Sequence, residues 1–128
     1  MLKGPETLRK LLILMVDDNM GFVQRMKGLL VENERIGHID VASDYYEANR
    51  MVEADNPDII LLDINLPGKN GIEVLKKIRM SDNDCKVIML TNHADDYYRQ
   101  QCRELGADYF LDKTNDFGKV PDIISELC

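Results

Sequence analysis

Short apolar runs of strand length alternate along this chain with stretches whose apolar residues recur every three or four positions, and few folds accept that alternation. The runs are "LLILMV" (11–16), "HIDVA" (38–42), "DIILL" (58–62), "KVIML" (86–90) and "DYFL" (108–111). Between and after them lie helical stripes: Phe22, Met26, Leu29 and Leu30; Tyr45, Ala48, Met51 and Val52; Ile72, Leu75 and Ile78; Tyr98, Cys102 and Leu105; Phe117, Val120, Ile124 and Leu127. Asn19 and Ser43 stand where N-caps are wanted, and Gly106 where a helix should stop. Five βα pairs in series specify a parallel sheet with right-handed crossovers and helices on both faces. The first, third and fourth strands are apolar throughout, as strands covered on both sides must be, while the second is more polar and suits an edge. The expectation is a doubly wound α/β fold of flavodoxin-like (βα)5 type, strand order 2-1-3-4-5. Its ligand crevice lies beyond the C-terminal ends of the first and third strands.

The 128 residues suffice for one well-filled core. Residues 1–10 carry no strong pattern and read as a short lead-in to a domain over 11–128. The longest apolar run is far too short to cross a membrane, and no signal-peptide pattern opens the chain. Three scattered cysteines, Cys85, Cys102 and Cys128, fit neither a disulfide framework nor a zinc site, which points to a reducing cytoplasm. A net charge of −7 argues against nucleic-acid binding by this domain and for proteins or cations as partners.

In this topology the residues that follow each strand meet at one edge: Asp17 and Asp18, Asp63, Thr91, and Asp112 with Lys113. Taken singly, each is a common turn or cap residue. Together they place acids, a hydroxyl and an ammonium around one crevice. Two carboxylates about 5 Å apart repel by roughly 3 kcal/mol at an effective dielectric of 20, so such a cluster asks for a raised pKa, a cation, or both. Oxygen-only donors suit a hard ion such as Mg²⁺. Asp63 then reads as a nucleophile toward a phosphoryl group, with Lys113 stabilising the transferred oxygens and Thr91 bonding one of them afterwards. Asp112 should point away, because side chains alternate along a strand.

The segments "ILMVDDN", "DIILLDINLPGKNG", "VIMLTN" and "GADYFLDKT" resemble, in order, the signature segments of the receiver domains of two-component response regulators. The D-x-x-L-P-x-x-x-G pattern is the most specific part, matched by Asp63, Leu66, Pro67 and Gly71. The resemblance implies that Asp63 accepts a phosphoryl group from a phosphohistidine on a sensor histidine kinase or phosphotransfer protein. It implies a Mg²⁺ site of Asp17, Asp18, Asp63 and the backbone carbonyl of Asn65. It assigns Thr91 and Lys113 to the switch hydroxyl and lysine, and Phe110 to the switch aromatic. Such a domain is a phosphoacceptor in signal transduction rather than a turnover enzyme. Its output is a changed protein-docking face, read by a downstream protein or a fused output domain, with room for a homodimer on activation.

Some positions depart from the family pattern. Asn92 follows Thr91 where a small residue is usual. Thr114 rather than Pro follows Lys113, which puts a cis peptide there in doubt. Asn65 and His93 occupy the positions where the family tunes dephosphorylation. Two other functions compete. A Mg²⁺-dependent phosphatase of the haloacid dehalogenase type also uses an aspartyl-phosphate, but wants D-x-D-x-T after the first strand. An FMN carrier wants a hydroxyl- and glycine-rich loop where Asp17 and Asp18 stand. Within the family, a complete single-domain regulator and the receiver of a longer DNA-binding transcriptional regulator remain equally open.

Overall fold

The computed structural model describes residues 10–92 and 95–127. The expectations for residues 1–9, His93 and Cys128 lie outside them. The strands are β1 (Leu11–Val16), β2 (Ile36–Ala42), β3 (Ile59–Leu62), β4 (Lys86–Thr91) and β5 (Tyr109–Asp112). The helices are α1 (Met20–Leu30), α2 (Tyr45–Asp55), α3 (Gly71–Met80), α4 (Asp96–Glu104) and α5 (Val120–Leu127), with a 3₁₀ turn at Phe117–Lys119. All strand pairs are parallel and the order is β2-β1-β3-β4-β5.

Strand alternation divides the core in two. Leu14, Val16, Ile60, Leu62, Val87 and Met89 pack with α2, α3 and α4. Their neighbours Ile13, Met15, Ile59, Leu61, Ile88 and Leu90 pack with α1 and α5 on the other face. This parity carries past the strand ends. Asp17 and Asp63 each follow a residue of the first set, so both turn to the α1 and α5 side, and Lys113 follows Leu111 by two positions and turns the same way. The alternation that builds the core therefore also gathers these charges.

Local chemistry sets the element ends. The Asn19 side chain accepts from Phe22 N at 3.0 Å and caps α1. The cap expected at Ser43 is Asp44 instead, one residue later: its backbone is extended and its carboxylate accepts from Glu47 N at 2.8 Å. Ser43 contributes its backbone N–H, which reaches Glu47 Oε1 at 2.7 Å, so the glutamate closes the box from the other side. Phe117 belongs to the 3₁₀ turn rather than to the last helix. Its ring still packs edge-on against Phe22, with centroids 5.8 Å apart. Each tyrosine pair splits as helical geometry requires: Tyr45 and Tyr98 pack on the core, while Tyr46 and Tyr97 face solvent.

Candidate functional site

β3 ends in a sharp reversal, and Gly71 explains how α3 can begin so close to Asp63. A Cβ on Gly71 would lie 1.9 Å from the Asp63 carbonyl oxygen, so any side chain there would force the backbone apart. The Gly71 N–H also donates to Ile64 O at 2.7 Å, pinning the loop back on the strand. Asn70 then caps α3 through Ile72 N and Glu73 N. The glycine that closes the motif, with Asn70 before it, thus anchors the backbone that carries Asp63.

At the sheet edge Asp17 is 3% exposed, Asp63 6% and Lys113 7%, a degree of burial that charged groups accept only when paired. Lys113 Nζ lies 2.7 Å from Asp17 Oδ2 and 3.1 Å from Asp63 Oδ2. Asp63 Oδ1 accepts the Asn65 N–H at 3.2 Å, and Asp17 Oδ1 accepts the Asn19 N–H at 2.9 Å. Asp18 is exposed but completes the group: one carboxylate oxygen each from Asp17, Asp18 and Asp63 lie within 4.8 Å of one another. Three negative charges meet one ammonium. Burial raises the Asp63 pKa above the usual carboxylate range; the Lys113 charge opposes the rise and the Asp17 charge adds to it. The oxygen-only donors, and the negative charge Lys113 leaves unbalanced, fit a hard divalent cation.

Thr91 closes β4, fully buried, in register with Asp112 of β5. Alternation puts it on the same sheet face as Met89 and Phe110, toward α4. Phe110 is half-buried against that core. Arg99 of α4 donates to the Phe110 carbonyl at 3.1 Å while its guanidinium sits 4.9 Å from the Phe110 ring centroid. No sequence pattern marked Arg99. Its position on α4 was legible, but its reach to β5 depends on how the helix lies on the sheet. Asp112 points away from the acids and accepts from Thr114 N and Asn115 N at 2.7 and 2.9 Å. No peptide bond among the described residues is cis, that after Lys113 included.

A cavity of about 280 Å³ opens beside the ammonium, walled by Phe22, Arg25, Asn92, Lys113 and Phe117. A larger one, about 450 Å³, lies at the opposite end of the strands against Leu11, Ile59 and Lys86, remote from the carboxylates. Size alone would choose the wrong end of this sheet; the acids and the lysine identify the chemical one.

Acids after β1 and β3 and a buried lysine after β5 give this doubly wound α/β domain a charged crevice at its topological switch point. The model of the response regulator receiver domain matches residues 13–125, and the chain belongs to that family. It is 32% identical over 114 residues to sporulation initiation phosphotransferase F of Bacillus subtilis (strain 168), covering 89% of this chain and 90% of that one. It is 33% identical over 107 residues to the transcriptional regulatory protein DegU of Brevibacillus brevis, covering 84% of this chain and 45% of that one. The chain thus spans about half the length of DegU. Among solved structures it is similar to the Mn(2+)-bound form of response regulator Rcp1, with 29% identity, a TM-score of 0.78, and coverage of 90% of this chain and 92% of that one. Receiver domains are signalling domains, and the family match favours neither the phosphatase nor the FMN reading.

Proposed function

We propose that Asp63 is the phosphoacceptor of this receiver, taking a phosphoryl group from a phosphohistidine on a sensor histidine kinase or phosphotransfer protein. An Asp63 carboxylate oxygen forms the new O–P bond as the donor's P–N bond breaks, and the departing imidazole takes up a proton from solvent. The observation that carries this is the ammonium of Lys113, held between Asp17 and Asp63 in a buried site with a third carboxylate alongside. Asp17, Asp18, Asp63 and the Asn65 carbonyl are the groups that would hold Mg²⁺, which when bound supplies charge neutralisation at the attacked phosphoryl group. The Mn(2+)-bound form of Rcp1 supports a divalent ion in this family. Lys113 balances the oxygens of the transferred group, and Thr91 offers them a hydroxyl.

Thr91 and Phe110 share a sheet face, so a hydroxyl drawn toward a phosphoryl oxygen leaves space that the ring can enter. Phosphorylation then biases an equilibrium between two packings. The face formed by α4, β5 and α5 carries the result to a downstream protein or a fused output domain in the cytoplasm, or to a second copy of the chain. DegU, of which the chain covers 45%, illustrates a receiver within a longer transcriptional regulator, and sporulation initiation phosphotransferase F, covered to 90%, a short one.

Intact-mass spectrometry after incubation with acetyl phosphate tests the reading. Wild type should gain one phosphoryl group with Mg²⁺ and none in chelator, and Asp63→Asn should gain none. Uptake that persists in Asp63→Asn would move the acceptor elsewhere.

A further inference from the structure

Lys113 has a third neighbour besides the two acids: its Nζ lies 4.4 Å from the centroid of the Phe22 ring. Phe22 is 3% exposed, and its ring is fixed by the edge-on contact with Phe117. Its backbone is tied to the same turn as the acid, since Phe22 N bonds Asn19 Oδ1 and Asn19 N bonds Asp17 Oδ1. The ring and the Asp17 carboxylate are therefore linked through one hydrogen-bonded turn, and the ammonium rests on both. An aromatic face attracts a buried cation through its quadrupole, without charge and without a titrating group.

We propose that Phe22 is a positioning residue for Lys113: it holds the ammonium in the crevice while the carboxylates exchange that ammonium for other cations. This rests on the phosphoacceptor reading. Asp17 and Asp63 must share their charge with a divalent ion, and an ion there repels the ammonium. Among the contacts to Nζ from the described residues, the ring is the one a divalent ion does not compete for. With the ring in place, Lys113 stays within reach of the incoming phosphoryl oxygens, and the site does not wait for a long side chain to return. In the resting protein the acids alone would hold the ammonium, so the ring decides its position only once they are engaged, and it does so against the repulsion of the ion.

The test replaces Phe22 site-specifically by 3,4,5-trifluorophenylalanine, which keeps the ring's shape and removes most of its quadrupole, with Phe22→Tyr as the conservative control. An unchanged melting temperature shows that packing survives. Mg²⁺ affinity, measured by calorimetry, should rise severalfold, because the ammonium now leaves more easily. The rate of uptake from acetyl phosphate at saturating Mg²⁺ should fall about tenfold, equivalent to about 1.4 kcal/mol. Phe22→Tyr should stay close to wild type in both. Opposite movement of affinity and rate is the signature, since mere damage to the core lowers both. A trifluoro variant matching wild type in both, or losing both together, overturns the proposal. If wild type takes up no phosphoryl group while the variant still binds Mg²⁺ more tightly, the phosphoacceptor reading fails, and only the part of the proposal in which Phe22 holds the ammonium against a bound ion is supported.

Discussion

Replacing Asp63 by Asn should make the protein more stable, and the structure bounds the effect. At an effective dielectric of 20, Asp63 and Asp17 oxygens within 4.8 Å repel by at least about 3.5 kcal/mol, while Lys113 Nζ at 3.1 Å attracts Asp63 by about 5 kcal/mol. Weighed against Asp17 alone, Lys113 leaves at most about 2 kcal/mol in favour of the ionised acid; exposed Asp18, also within 4.8 Å, reduces this further, and a desolvation cost of several kcal/mol stands against it. The Asp63 pKa is raised with burial as the leading cause, so desolvation wins. Asparagine keeps the shape and an acceptor for Lys113 but sheds the charge. Urea unfolding at pH 7 without divalent ions should show Asp63→Asn more stable by about 1–2 kcal/mol, or some 3–8 °C in melting temperature. The gap should close as pH falls. Wild-type Asp63, its pKa higher folded than unfolded, takes up a proton in the folded state first, so the penalty for its charge shrinks as pH falls through the raised pKa and is gone only below the ordinary carboxylate value of the unfolded chain. An Asp63→Asn variant less stable than wild type at pH 7 would refute this reasoning: the acid would then be an ordinary member of a favourable buried ion pair.

Three further outcomes follow from particular contacts. Gly71→Ala should cost about 1–3 kcal/mol in urea unfolding and slow phosphoryl uptake, because the added methyl can be housed only by moving the Asp63 carbonyl. Arg99→Ala removes both the bond to the Phe110 carbonyl and the cation over its ring. It should cost about 1–2 kcal/mol and increase microsecond-to-millisecond exchange at Phe110, read by relaxation dispersion on a labelled ring. Cys102 is fully buried and its thiol is pushed up to about 11 by desolvation, so native protein at pH 8 should leave it unalkylated by iodoacetamide until urea unfolds the chain, as peptide mass mapping would show.

The parts of this molecule legible in its sequence are those that depend on period. Alternation and helical spacing reveal five strands and five helices, and the apolar character of β1, β3 and β4 reveals which strands are central. The same period of two decides that Asp17, Asp63 and Lys113 share a side, so the core of the site is legible for the same reason as the fold. What escapes is whatever depends on competition at a boundary or on the distance between elements. Ser43 and Asp44 are both good caps, and the choice fell to the carboxylate that could take Glu47 N while Glu47 returned the bond to Ser43. Phe22 stood in plain view as a member of the α1 stripe, indistinguishable by spacing from Met26 or Leu30. Only the tertiary fold, which brings α1 and the segment after β5 together, sets its ring under an ammonium. Arg99 is likewise one polar residue among many on α4 until the helix is laid on the sheet. Charges that meet in this site are therefore announced by strand ends, whereas the uncharged or distant groups that steer them are set by how helices dock, and no local pattern reports that. A residue that positions a reacting group should accordingly be sought among the apolar stripes of the flanking helices, where an aromatic ring under a buried cation is the feature that separates positioning from packing.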